Sequence, residues 1–301
     1  MNAQRPPARP RKSRSRKGLT SSRIDLAALA AALDAVTLDP DPAALDRAQD
    51  AAYDAWEASG ADQASLARSA LAISPLCADA YVLLAEDDAV TDLDATVLYR
   101  LGMKAGELAL GEDFENLKGE FWGWLQTRPY MRARAGRAGA LYRTGHVDEA
   151  LGHWRALLDL NPGDNQGVRY TLALVLLDRG DDGELRRLLG AHDDDAGIAT
   201  TYTRALIAFR DGDLEAGDLL TDAIRGNRHV AAILAGTQPS RVSNNGYLTM
   251  GGTDEATIAL PAEVPFAKRT AGPGCWVYDF HHVRLGPLGR LVLTELPDNA
   301  R

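Results

Sequence analysis

Apolar and small residues return every three or four positions through most of this chain, the period of a helix with one buried face. Leu45, Ala48, Ala52 and Trp56 mark the first long stripe. Asp41 and Pro42 stand before it. An aspartate can cap a helix there, and proline fits the first position because no N–H is needed. Gly60 closes that stripe, and a second over residues 66–73 stops at Pro75. A third runs over residues 80–85, and a fourth carries Ala95, Tyr99 and Gly102 out to Leu110. Further stripes span the two sides of Gly145, then residues 168–177, 185–189, 200–209 and 214–224. A shorter apolar run at residues 26–33 precedes them all.

These stripes come in pairs, and the pairs repeat. Ala138, Gly139 and Ala150 put small side chains where two helices must touch, Trp154 follows four residues after Ala150, and Pro162 closes the pair. That order is the tetratricopeptide pattern, a helix–turn–helix unit of about 34 residues. Equivalent small-residue positions fall at 95, 150, 185 and 216, separated by 55, 35 and 31 residues. Gly145, Gly180 and Gly212 hold the turns, Leu185 replaces the usual alanine, and the long first interval contains an insertion at residues 111–128. One such unit cannot bury its apolar face alone and has to stack on its neighbours. The expected fold is therefore all-α, a tetratricopeptide-like helical-hairpin solenoid over residues 23–235. A disordered basic tail is expected at residues 1–22 and an irregular region at 236–301.

The character changes from residue 236. Asn245-Gly246 and Gly251-Gly252 favour positive φ. Thr253-Asp254-Glu255 reads as a helix start continuing through residue 260. Pro261, Pro265, Pro273 and Gly274 then interrupt the chain, and residues 276–278 and 291–293 fit either short strands or packed turns.

Charge adds an asymmetry. The net charge over 301 residues is −9, yet residues 1–17 hold Arg5, Arg9, Arg11, Lys12, Arg14, Arg16 and Lys17 with no acid, leaving −16 for the remainder. Three prolines and almost nothing apolar keep that tail from forming a core. A basic arm of this kind suits nucleic acid or an anionic surface, so weak nucleic-acid contact through residues 1–17 is one expectation. No apolar stretch follows the basic residues as a secretory signal requires, and the longest apolar run, residues 172–177, falls far short of a membrane span. Two distant cysteines, Cys77 and Cys275, form no disulfide framework, which fits a cytoplasmic setting. The sequence lacks a nucleophile elbow, a phosphate-binding glycine loop and a His-Glu-x-x-His pair, so neither catalysis nor a cofactor is expected. His281-His282 with Asp279 and Cys275 matches no zinc spacing, and the 193–195 aspartates lack the glycine and glutamate of a calcium loop. Both read as solvated polar loops.

Three segments carry a resemblance: Phe121-Trp122-Gly123; the run Thr127-Arg128-Pro129-Tyr130-Met131-Arg132-Ala133-Arg134; and residues 161–170, Asn-Pro-Gly-Asp-Asn-Gln-Gly-Val-Arg-Tyr. Together they resemble bacterial tetratricopeptide proteins related to the suppressor of tumorigenicity seven family. Ile73-Ser74-Pro75, Cys77 to Tyr81, Tyr247 and Gly252 to Ala256 fit the same pattern, which covers roughly residues 45–260. Beyond that the chain departs from it, because Pro261 and Pro265 interrupt the helix that family members continue. The resemblance implies a bacterial helical interaction module without enzyme chemistry.

The candidate partner-binding residues are Arg128, Tyr130, Arg132, Asn165, Gln166 and Arg169. Arg132 falls near a groove-facing position of a first helix, and Arg128 sits at a helix start, where the dipole disfavours a cation. Each guanidinium can bind a partner carboxylate bidentately or pair internally with Glu112, Asp113, Glu115 or Glu120. Asn165, Gln166 and Arg169 either line the same groove or serve the junction of two repeats, with Asp164 or Asn165 as helix cap. Phe121, Trp122 and Trp124 read as packing aromatics, and Trp56, Tyr99 and Trp154 as core. The expected function is a scaffold that holds a protein or peptide segment in the hollow of the array.

Overall fold

The computed structural model describes residues 24–36, 41–234, 238 and 249–258, together with the backbone of 283–285 and 291–293. The basic tail, the 261–273 prolines, residues 276–278 and the Cys275/His281 cluster lie outside the described residues.

Fourteen α-helices make up the described body; most pack on their chain neighbours, while α1 packs on α5. They are α1 (Leu26–Asp34), α2 (Pro42–Glu57), α3 (Ala61–Ile73), α4 (Ala78–Asp87), α5 (Asp92–Leu110), α6 (Asp113–Asn116) and α7 (Arg128–Arg143). There follow α8 (Val147–Leu160), α9 (Val168–Arg179), α10 (Asp182–Ala191), α11 (Ile198–Arg210), α12 (Ala216–Gly226), α13 (Arg228–Leu234) and α14 (Thr253–Ile258). Val283–Leu285 and Leu291–Leu293 pair as two antiparallel strands.

Local chemistry sets the ends. The Asp41 carboxylate accepts the Ala43 N–H with Pro42 at the first helical position. Thr91 and Asp94 exchange hydrogen bonds as a full capping box on α5. Gly145, Gly180 and Gly212 adopt φ of 86°, 77° and 68° at the turns, a region closed to most side chains. Two expectations need correction. Leu214 lies outside α12 and is 99% exposed, because the helix begins only at Ala216. Trp56 is 37% exposed at the last turn of α2, where the buried stripe has narrowed to Ala48, Ala52 and Ala55.

Successive helices pack as hairpins: α2 with α3, α4 with α5, α7 with α8, α9 with α10 and α11 with α12. The first members also stack on one another, α2 on α4, α4 on α7 and α9 on α11. This succession is compatible with an α-solenoid. The apolar interior falls into two clusters. One joins α1 to α5 through Leu83, Leu84, Leu98 and Tyr81; the other runs from the 111–128 insertion to α14 through Phe121, Trp154, Leu176 and Tyr202.

The tightest contact in the array is α5 against α7. A Cβ at Gly106 would stand 2.9 Å from the Tyr130 Cβ, and one at Gly102 would stand 3.2 Å from the Ala133 Cβ and the Ala78 carbonyl. A Cβ at Gly136 would stand 2.2 Å from the Tyr99 ring. Glycine costs helix stability, so three glycines inside two helices mark a place where backbone and ring must meet closely. We predict that Gly136→Ala lowers unfolding stability by roughly 1–3 kcal/mol, the usual cost of overpacking a core. Denaturant titration checks it, with Gly152→Ala, where a Cβ meets nothing within 4 Å, as the tolerated control.

Candidate functional site

Four of the six candidate residues are engaged by partners within the fold. Tyr130 is 1% exposed and packs edge-on against Phe114 and Phe121 at centroid distances of 5.0 and 6.1 Å. Its hydroxyl accepts from Arg134 Nη1 at 2.7 Å, and burial pushes its pKa up to about 12. Tyr130 therefore cannot meet a partner, because the insertion folds over it. Arg128 opens α7 and donates twice to the Trp122 carbonyl, at 3.1 and 3.0 Å, with its guanidinium 4.8 Å from the Trp122 ring centre. Its partners are a carbonyl and an indole of the insertion rather than any insertion acid.

Arg132 is bound bidentately by Asp79, Nε to Oδ1 at 2.7 Å and Nη2 to Oδ2 at 2.6 Å. Asp79 lies in the first turn of α4 with a fully buried side chain, and its Oδ2 also accepts Gln49 Nε2 at 2.8 Å. One carboxylate thus ties α2, α4 and α7 together. The insertion acids play no part. The detectable signal was an aspartate inside the apolar run Cys77 to Ala85, since a lone acid in a buried helix has to be paired.

Arg169 joins the second junction. Its Nη1 donates to Asp164 Oδ2 at 2.9 Å, its Nε to Asp195 Oδ2 at 3.0 Å, and its guanidinium lies 4.3 Å from the Tyr170 ring centre. Asp164, at φ 46°, caps α9 by accepting the N–H groups of Val168 and Arg169 at 2.7 and 3.0 Å. The 193–195 run, expected to be a solvated loop, is exposed at Asp193 and Asp194, but the Asp195 side chain is largely enclosed. Burial alone would raise its carboxyl, but the Gly197 N–H, the Thr200 hydroxyl and Arg169 outweigh that and bring it to about 2. Asn165 is exposed at the same corner. Gln166 is half-buried and lines a cleft of about 300 Å³ with Tyr99, Gly136, Arg143, Trp154 and Thr171. Its enclosed Oε1 meets no hydrogen-bond donor among the described residues.

The open groove lies elsewhere on the same layer of helices. It holds about 380 Å³ between α2 and the start of α7. Leu45, Leu76, Ala109 and Leu110 line it with apolar surface, and Leu125, 66% exposed, stands at its mouth. Asp46, Asp50 and Tyr53 also line it, from positions four and three apart on one exposed stripe of α2. This acidic stripe lies on α2, away from the arginine-rich run of α7 that the sequence singles out.

Among the described residues no group of three metal-ligating side chains is arranged to hold an ion, and no helix is long and apolar enough to cross a membrane. Cys77 is buried, and desolvation pushes its thiol up to about 12. The fold and groove define a helical-hairpin array with an acid-rimmed apolar trough. No protein-family model matches this chain, and no curated protein or solved structure shows significant similarity to it.

The site generates two predictions. Asp79→Ala leaves Arg132 and Gln49 without their acceptor and should cost about 3–5 kcal/mol, the penalty for halving a buried pair. Replacing both ends, Asp79→Leu with Arg132→Met, should recover most of that in chemical denaturation.

The second concerns acid stability. Burial, then the Arg134 and Arg137 charges, depress the His153 pKa from 6.5 to about 4, and Arg137 Nε donates to its Nε2 at 3.0 Å. The unfolded chain then binds a proton that the folded chain refuses. Stability should fall by on the order of 2 kcal/mol as pH drops from 6.5 through 4. A further loss should follow below pH 4 as Asp195 is protonated. Melting curves across pH should show the upper slope flattened in His153→Gln, with the lower one retained.

Proposed function

We propose that this chain is a tetratricopeptide-type interaction scaffold that holds a basic, apolar-anchored segment of a protein partner in the groove between α2 and the start of α7. The observation that carries this reading is the pairing of apolar floor and acidic rim in one open trough. A leucine-sized side chain of the partner would supply affinity by leaving water, at roughly 25 cal/mol per Å² of apolar area. A neighbouring lysine or arginine would set register against Asp46 and Asp50. The repeat type draws support from the helix pairs, the left-handed glycines at their turns and the resemblance in residues 45–260. Because Arg132 and Arg169 are spent on internal carboxylates, the array reads cations rather than anions.

A second reading, nucleic-acid association, rests on the seven cations of residues 5–17 and would be confined to that arm.

The test is affinity capture with the full chain beside an Asp46→Lys, Asp50→Lys, Leu125→Glu variant. These surface changes should leave stability within about 0.5 kcal/mol each. The variant should lose a specific captured protein, and wild-type capture should weaken with salt. Asp218→Lys, on the exposed side of α12, should change nothing. An identical set of captured proteins for all three chains overturns the groove as the site.

A further inference from the structure

A second acidic cleft lies where the described chain begins. It holds about 410 Å³ and is lined by Ile24, Asp25, Leu26, Asp88, Ala89, Val90 and Asp94, at the turn between α4 and α5. Val90 and Leu93 beside it are 69% and 62% exposed, high for apolar residues at one turn. Two of its three carboxylates, Asp25 and Asp94, have no cationic partner among the described residues. Among the described residues Asp25 accepts the Ala28 N–H at the start of α1, and Asp94 accepts the N–H and hydroxyl of Thr91 at the start of α5; these donors are neutral and carry no counter-charge. Asp88 is paired with Arg68, but Glu86 and Asp87 stand exposed just before it. Here α4 ends, and the carbonyl end of a helix attracts cations.

The occupant is fixed by what comes next along the chain. Ile24 is itself a wall of the cleft, and the residues before it carry Arg23, immediately adjacent, and the arm cations Arg5, Arg9, Arg11, Lys12, Arg14, Arg16 and Lys17. Residues 18–23 span at most about 20 Å when extended, so the last cations of the arm, Arg16 and Lys17, cannot stray far from the turn. Such a tether corresponds to an effective concentration on the order of millimolar, enough for contacts too weak to hold a free peptide.

We propose that the basic arm, residues 5–17, docks in cis on this cleft, with its cations on Asp94 in the cleft and on Asp87 and Glu86, which stand exposed beside it but outside its lining, and with Leu19, just after the arm, against Val90 and Ile24. The contact is electrostatic and short-ranged, so salt or a competing polyanion releases the arm. An arm held this way reaches a polyanion only by exchanging one set of anions for another. The inference is independent of the α2–α7 groove, which has its own acids.

Carbodiimide cross-linking of the full chain tests it, because the reagent joins a lysine amine to a touching carboxylate with loss of water. At about 20 mM salt, Lys12 and Lys17 should link to Glu86, Asp87, Asp88 or Asp94 within monomers, and these links should vanish near about 0.5 M salt. Links to Asp25, close in sequence to Lys17, are left out of the comparison. Glu86→Gln with Asp87→Asn should cut the yield several-fold with no change in melting temperature. The proposal is overturned by links scattered over Asp46, Asp50, Asp148 and Asp218 according to exposure. Links found only between copies, links indifferent to salt, or the absence of any link overturn it equally.

Discussion

Everything in this array depends on how closely α5 can approach α7. The two helices meet across Gly102, Gly106 and Gly136, where Tyr99 and Tyr130 lie against bare backbone. That approach joins the two apolar clusters, since Ala133 and Ala140 of α7 belong to one and Tyr130, Met131 and Leu141 to the other. A hairpin array is stable only through contacts between neighbours, so its weakest step limits the whole. Here the step that carries the insertion is also the most intimate. The insertion reinforces it: Phe121 and Phe114 close over Tyr130, and Thr127 ties α7 back to the Phe121 carbonyl.

The polar ties follow the same logic. A buried carboxylate is tolerated only with its charge matched and its lone pairs filled. Asp79 achieves this with Arg132 and Gln49, drawing donors from two other helices. Asp164 and Asp195 share Arg169 and take backbone N–H groups besides, which is why burial fails to keep the Asp195 proton on. At the end of the described body, Asn227 donates to Glu255 and to the Gly252 carbonyl and so docks α14. In each case the arginine or amide crosses between units instead of facing solvent. Arg132 and Arg169 are drawn inward, and exposed acids remain along α2 and at the α4–α5 turn.

Much of the helix map was legible because it is local. Periodicity located nearly every helix, glycines in left-handed turns marked the bend within three of the pairs, and the segment from Thr253 forms a helix where its sequence suggested one. Boundaries governed by a single apolar residue were less secure, as Leu214 shows. The site was harder to read for a physical reason. Arg132 and Asp79 are 53 positions apart, and nothing in their spacing states that α4 and α7 are neighbours. Tyr130 looked like part of a basic surface because its neighbours are arginines, yet the fold turns it inward while Arg128 and Arg132 take separate internal partners. Glycines at positions 102 and 106, one helical turn apart, were the available sign of close packing.

The two open acidic surfaces place opposite demands on a ligand. The α2–α7 groove has an apolar floor, so affinity there comes mainly from a buried side chain, and salt changes it only through Asp46 and Asp50. The α4–α5 cleft relies on carboxylates in water, where screening removes most of the attraction beyond about 8–10 Å. A cationic segment without an apolar anchor is therefore held at the turn only if it is tethered, whereas one with an anchor can hold the groove from free solution. The arm has cations in excess and little that is apolar, so charge and tether together assign it to the turn and leave the groove open to another chain.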